Sequence, residues 1–303
     1  MASSPRQYRL GLFSITVTAI LWGSIGIAAS MAPPVRPLTM GAAAMGCGGL
    51  LQALSALPSL YHARALLKKY GLYVLLGGLA VAIDPLAFYT SMHMSGVAVS
   101  TVVSLGSAPL FSAIIDTVMD RVTLGPRWYL SAALGITGIA LLCFAERAAS
   151  LSHHAAPAPI TGIILALIMG FTYAFYSWAA HRLIQRQVPS RAAMGSIFGV
   201  GGLLLMPVLF STGGAFLLSW HYIAAAAYLA VVPMLIGFMC FGYGLRHVPA
   251  STATTITLLE PTVAALLAVF ILGERLPWVG WSGIGLIMLS LICVTSPKKG
   301  NNT

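Results

Sequence analysis

The chain has 303 residues, 58% of them hydrophobic and only 7% charged, with a formal net charge of +10 and a mean hydropathy of +0.91. A soluble globular domain carries about 25% charged residues, so composition excludes a water-soluble enzyme or nucleic-acid-binding module and leaves a chain solvated by lipid. The bases fall between apolar runs, as loops at a membrane surface do, and nucleic acid is not expected as a partner.

Runs of roughly 17–25 apolar residues can cross the hydrocarbon core as helices. Taken in chain order, spans are predicted near residues 10–30, 38–58, 71–93, 96–118, 128–145, 160–181, 192–211, 220–243, 248–271 and 277–295. The first run ends in Ala28-Ala29-Ser30, as a signal peptide would, but exceeds the apolar core of about 7–15 residues that such peptides carry, and so reads as span one. After span two, Tyr61–Tyr70 reads as a basic loop lying on an anionic leaflet. The longest connection, Glu146–Pro159, is polar and Pro/Ala-rich and reads as a linker, with the adjacent His153 and His154 inside it. Pro85, Pro109, Pro207, Pro233 and Pro261 lie well inside spans, where each frees a carbonyl four residues earlier and permits a kink. Cys47, Cys143, Cys240 and Cys293 all fall within spans without metal-ligand spacing, so neither a metal nor a cofactor is expected.

With the N-terminus inside, ten spans send Arg6, Arg9, Arg64, Lys68, Lys69, Arg121, Arg127, Arg182, Arg186, Arg191, Arg246, Lys298 and Lys299 to the cytoplasm. Only Arg36, Arg147 and Arg275 are left outside. That asymmetry predicts a multi-pass protein of a bacterial inner membrane with both termini cytoplasmic.

The chain also repeats itself. Tyr89 and His93, a hydroxyl-rich run, a proline, Asp120-Arg121 and a Gly-rich run ending in Cys143 recur as Tyr243 and His247, Glu274-Arg275 and Cys293. His93 to His247 and Asp120 to Glu274 are both 154 positions. Five spans per copy would invert one copy relative to the other, an arrangement typical of carriers with a site near the bilayer midplane. The expected units are residues 1–150 and 151–303.

Ionisable groups at mid-membrane are costly, about 2.5–3.5 kcal/mol each on insertion scales. Asp84 in span three and Glu260 in span nine qualify, and each precedes a proline, Pro85 and Pro261. Asp84 could meet a cationic group, take up a proton, or stay protonated beside a kink. Asp116, nearer the end of span four, reads as interfacial. Trp22 in span one and Tyr173 in span six occupy matching mid-span places, with Tyr176 one turn on; their N–H and O–H groups need partners once buried. Of Thr252, Thr254, Thr255 and Thr257, one or two are expected to face a cavity. No Lys or Arg lies at mid-span, which disfavours phosphate-bearing cargo.

Two other classes are weighed. Gly280-Trp281-Ser282-Gly283 matches the G-x-S-G string of intramembrane serine proteases, but no histidine follows it and a Gly-rich helix explains it. A channel would show rings of like charge or a carbonyl filter, and neither is visible.

Residues 241–293, with LLEP, GER and a final Gly-rich run, resemble the closing half of the EamA family of the drug/metabolite transporter superfamily. Residues 104–115, SLGSAPLFSAII, carry the weaker first-copy match, with Asp120-Arg121 in place of Gly-Glu-Arg. The resemblance extends over essentially the whole chain and, within the family, is greatest to bacterial amino-acid exporters. It implies an all-α integral membrane protein: ten transmembrane helices in two inverted five-helix repeats around a central cavity, with spans five and ten peripheral. It further implies a monomeric carrier of small metabolites, most simply an amino-acid exporter, with multidrug or organic-cation efflux as the alternative and an intramembrane enzyme remote. Trp22, Asp84, Tyr173 and Tyr176 would bind substrate. Glu260, Pro261, Pro85 and Pro109 would serve architecture and gating. Lipid and the small-molecule substrate would be the partners.

Overall fold

The computed structural model describes residues 5–32, 35–149, 158–273 and 276–295, and among these no strand forms. Ten helical segments are long and apolar enough to cross a bilayer: span one Pro5–Ser30, two Pro37–Ser55, three Gly71–Ser95, four Val97–Asp120, five Pro126–Ala145, six Pro159–Gln185, seven Ser190–Phe216, eight Trp220–Gly244, nine Ala250–Ile271 and ten Trp278–Thr295. Every predicted span is present, and the chain is a multi-pass membrane protein. Turn chemistry sets several ends. Gly96, at φ 85°, separates spans three and four, and Gly273, at φ 70°, closes span nine; both angles favour a residue without a Cβ. Phe13, Leu72, Ile114, Phe144, Phe210 and Phe270 point outward, as a lipid-facing surface requires.

Two connections differ from expectation. The basic stretch at 61–70 is mostly helical, within Leu57–Lys69. Leu60, Ala63, Leu66 and Leu67, at helical spacing, turn one face onto the core, while Arg64, Lys68 and Lys69 stay exposed. The helix of span five continues to Ala149, so the linker begins later than predicted. His153, His154 and the boundary expected at residue 150 lie outside the described residues, as do Glu274 and Arg275.

The register of two helix pairs fixes how the halves relate. On spans two and seven a Cβ on Gly202 would fall 2.7 Å from the Gly46 carbonyl oxygen, one on Gly199 would meet Ala53 at 2.8 Å, and one on Gly195 would meet Ala56 at 2.6 Å, with Gly49 seated against the Phe198 carbonyl oxygen between them. Rising numbers on one helix meet falling numbers on the other. Spans five and ten cross in the same sense. Ser131 Oγ donates to the Ser290 carbonyl at 2.8 Å and Ser290 Oγ returns the bond to the Ser131 carbonyl at 2.7 Å. Two turns away, a Cβ on Gly138 would lie 2.7 Å from the Gly283 oxygen, and one on Gly283 would lie 2.6 Å from the Gly138 oxygen. Helices that stand five apart in the order therefore run antiparallel. Span three packs on six and span one on eight, and exchanging each span with the one five later leaves this set of neighbours unchanged. The two halves are inverted copies, joined along glycine and alanine seams where close backbone packing takes the place of the hydrophobic effect.

The prolines break that equivalence. Pro85 and Pro109 sit inside unbroken helices. In the second half the helix changes type near the prolines of the matching spans: Ala230–Gly237, around Pro233, is a π-helix, and Thr257–Leu259, just before Glu260 and Pro261, is a 3-10 turn. Wide turns of this kind expose carbonyls that lipid cannot satisfy. Side chains of the first half take them up instead. Trp22 Nε1 donates to the Pro233 carbonyl at 3.1 Å, Thr18 Oγ1 to Gly237 at 3.0 Å, Ser14 Oγ to Cys240 at 2.8 Å, and Gln52 Nε2 reaches Met234 and Leu235, each at 3.3 Å.

Candidate functional site

A cavity of about 1350 Å³ opens at the face that carries both chain ends. The start of span one (Pro5–Leu12) and the end of span ten (Cys293–Thr295) both line it, with Ser59 and the turns after spans four, six and eight. An even number of crossings brings those ends together. Spans five, seven and ten contribute to its mouth, whereas the family resemblance placed five and ten at the periphery; the mouth widens toward the surface, so the neighbouring helix ends reach it. Arg9, Arg127, Arg191 and Arg246 come to the lining from four different segments, with His181 and His247, and among the described residues no Asp or Glu lines it. Burial, and then the Arg246 charge, hold His247 below the ordinary histidine value, so the positive field there comes from the arginines.

The cavity stops short of mid-membrane. Thr252 lines it, but Trp22, Asp84, Tyr173, Tyr176 and Glu260 do not. Between lies a polar layer. Asp116 is buried at 1% exposure, and its Oδ2 accepts the Ser251 backbone N–H at 2.9 Å. It thus caps the first turn of span nine from span four, where a carboxylate satisfies an orphan donor and meets the positive end of the helix dipole. The interfacial position expected for Asp116 is wrong, because a buried helix start needed an acceptor. Asp120 pairs with Arg182 of span six, not with its neighbour Arg121, and also accepts from Trp178 Nε1 at 2.7 Å. Arg121 ends span four in a left-handed conformation, at φ 54°.

Beyond that layer the predicted aromatics converge. The Trp22 ring lies 4.8 Å from Phe238, 5.5 Å from Phe241 and 6.0 Å from Tyr173. Tyr173 and Tyr176 are 5.4 Å apart, and Tyr176 meets Phe198 at 5.4 Å. The three residues expected from sequence are all buried. Phe198, Phe238 and Phe241 were missed. The repeat offset could have found Phe238, because 154 positions carry Asp84 onto it.

The acids sit beside this cluster. Asp84 is 5% exposed and its Oδ2 has no hydrogen-bond partner. Thr172 of span six is its hydroxyl neighbour, and Glu260 of span nine acts on it electrostatically. The next residue on span six, Tyr173, places its hydroxyl 2.7 Å from Thr257 Oγ1, one turn before Glu260. Both acids also act on Tyr89, Tyr173 and Tyr176. Tyr89 was seen in the sequence only as a repeat marker, and its ring covers Gly41, where a Cβ would clash with it. Pro85 and Pro261 adjoin the two acids in sequence. Pro109 is buried on span four. Of the four threonines, Thr254 and Thr255 bond back to their own helix, leaving Thr252 to the cavity and Thr257 to Tyr173. Ser282 Oγ donates to Val279 in its own turn, and Gly283 serves the seam with span five.

Comparison with known proteins agrees with this geometry. Residues 160–296 match the EamA-like transporter family. An uncharacterized transporter of Bacillus subtilis, YwfM, is 27% identical over 95% of both chains. An uncharacterized inner membrane transporter of Salmonella typhimurium, YicL, is 26% identical over 96% of this chain and 97% of its own. The threonine/homoserine exporter RhtA of Escherichia coli is 26% identical over 43% of each. A protein of known crystal structure superposes with a TM-score of 0.75 at 19% identity, covering 97% of both chains, which speaks to the fold. Its carboxy-terminal half thus matches the EamA-like transporter family, and over nearly its full length the chain is similar to proteins described as transporters.

Proposed function

We propose that this chain is a transporter of the EamA-like family that works by alternating access and exports amino acids across a bacterial inner membrane, as a monomer with both termini in the cytoplasm. The observation that supports the reading is the reversal of polarity between the cavity and mid-membrane. Among the described residues, arginines without acids line the cavity, whereas Asp84 and Glu260, with aromatic rings and no Lys or Arg among their described electrostatic neighbours, stand beyond it. A zwitterion fits both ends. Its carboxylate is drawn into a positive funnel, and its ammonium finds the acids at depth. Trp22, Tyr173 and Tyr176 would hold the apolar part, and Glu260 with Pro261 would form the bending point of span nine. RhtA, an exporter by name, lends support to this substrate class.

Organic-cation efflux is the second reading, favoured by the aromatic rings beside two carboxyls, since such rings attract quaternary ammonium groups. The arginine-lined entrance weighs against it. Counterflow in proteoliposomes separates the two. Preloaded threonine is expected to accelerate uptake of labelled threonine, and methyl viologen is not expected to compete. Asp84→Asn is expected to reduce threonine counterflow at least about tenfold, the cost of one lost charge-assisted contact of about 1.5–3 kcal/mol. Unchanged counterflow in that variant removes Asp84 from the site.

A further inference from the structure

Two basic residues meet at the membrane surface, away from the cavity. Lys69 closes the amphipathic helix after span two, and Arg186 follows the end of span six, one turn beyond Arg182. One comes from each half of the chain, and both are exposed. An even number of crossings precedes each, so both lie on the face that carries the chain ends. They share a single ring: Lys69 Nζ lies 5.4 Å and Arg186 Cζ 5.3 Å from the Tyr70 centroid, and Arg186 Nη1 donates to the Tyr70 hydroxyl at 3.5 Å. Neither pairs with an acid among the described residues; Asp120 acts on Arg186 but is tied to Arg182. Two like charges gathered on one ring repel, and an anion between them turns that cost into attraction. The ring also holds both side chains beforehand, so less freedom is lost when the anion arrives. The guanidinium keeps N–H donors in a planar fork that suits phosphate, and the ammonium adds a point charge.

What lies next to the cations selects the carrier of that anion. Directly after Tyr70, Leu72, Leu75, Leu76 and Leu79 are exposed on span three, at the spacing that makes one stripe of a helix. The stripe starts at the two cations and runs into the bilayer. On the preceding helix Leu57 and Tyr61 are exposed, with the Arg64 guanidinium over the Tyr61 ring at 4.5 Å, the apolar body and charged head of an interfacial anchor. A free phosphate or an acidic soluble protein would use the charges and leave the leucines unused. A phospholipid uses both.

We propose that Lys69, Tyr70 and Arg186 hold the phosphate of an anionic phospholipid from the surrounding leaflet, with an acyl chain along the leucine stripe of span three. Because span three packs on span six, one headgroup joins the two halves at that face. The site is separate from the arginine-lined cavity, whose lining includes none of the three residues, and it does not depend on which cargo is carried.

Native mass spectrometry of the purified full-length protein in a non-ionic detergent tests the site. When palmitoyl-oleoyl phosphatidylglycerol and the phosphatidylcholine of the same chains are offered together, phosphatidylglycerol should be retained severalfold more. Lys69→Gln and Arg186→Gln should each weaken that retention about fivefold, the weight of one basic residue at an anionic surface. Arg36→Gln, on the opposite face, makes the same change of charge and should leave retention unaltered. Glycerol phosphate should not displace the lipid at concentrations where dioctanoyl phosphatidylglycerol does. Equal retention of the two lipids by the wild type overturns the site without recourse to any variant. A loss as large in Arg36→Gln reduces the effect to bulk charge, and displacement by glycerol phosphate reduces it to a free-anion site; either result overturns the phospholipid assignment.

Discussion

Replacing Gly283 by alanine tests the seam between spans five and ten. The new Cβ would lie 2.6 Å from the Gly138 carbonyl oxygen and 2.9 Å from the Leu142 nitrogen, against an ordinary contact of 3.4 Å or more. Both obstacles are backbone, so no side chain can swing aside, and the helices must part by most of that deficit. Overpacking of this kind costs about 1–3 kcal/mol. Alanine returns about 0.5–1 kcal/mol by stiffening the helix. Gly285, two residues along the same helix, has nothing within 4 Å of its would-be Cβ, so its alanine variant receives the gain without the clash. The two variants should differ by roughly 2 kcal/mol. At about 2–4 °C per kcal/mol for a chain of this order of size, that is a gap of about 4–8 °C in melting temperature. Thermal unfolding of each purified variant in the same detergent, followed by intrinsic fluorescence, measures it. If Gly283→Ala melts at or above Gly285→Ala, the seam is not a backbone contact and the inverted packing deduced from it is wrong.

Trp22→Phe keeps the ring stacking but leaves the Pro233 carbonyl of the π-turn without its donor; it should cost about 0.6–1.7 kcal/mol, the span measured for hydrogen bonds within membrane proteins, seen as a lower melting temperature with expression retained. Asp116→Ala removes the acceptor that caps span nine and should cost about 0.5–2 kcal/mol, whereas Asp116→Asn, which keeps an acceptor oxygen, should lose less; equal losses in the two variants would refute the capping role. Single cysteines at Arg64 and Arg186 should react with a membrane-impermeant maleimide from the same side, because Tyr70, at the end of the basic helix, holds the Arg186 guanidinium over its ring at 5.3 Å; labelling from opposite sides would dismantle the ten-span threading.

Much of this molecule was legible because lipid leaves few options. Lengths of apolar runs, arginines sorted to one side and a duplicated Tyr–His spacing lead to ten helices and an inverted pair of halves without any coordinates. The mid-span positions of Trp22, Tyr173 and Tyr176 likewise anticipated one cluster, because aromatic residues away from the interfaces must face protein. What stayed hidden depends on who answers whom. Asp120 is followed by an arginine, yet its partner is Arg182, a helix away. Asp116 looks like a surface acid until the start of span nine is seen to lack an acceptor. Pro233 reads like Pro85 in sequence, but the turn around one is widened and the turn around the other is not, a choice made by the side chains of spans one and two.

The crossings at Gly49 with Phe198 and at Gly138 with Gly283 bring main chain against main chain, with the Ile287 side chain beside the second. A carrier that swaps its open side, as proposed here, must repack something, and at these two points the backbone leaves little room to do so. Under the alternating-access proposal, the barrier to switching would be concentrated in the spans off the axis, in the Asp120–Arg182 tie and the Trp22 grip on span eight. Substitutions there should alter turnover rate, while substitutions along the glycine lines should alter only how much folded protein the cell accumulates.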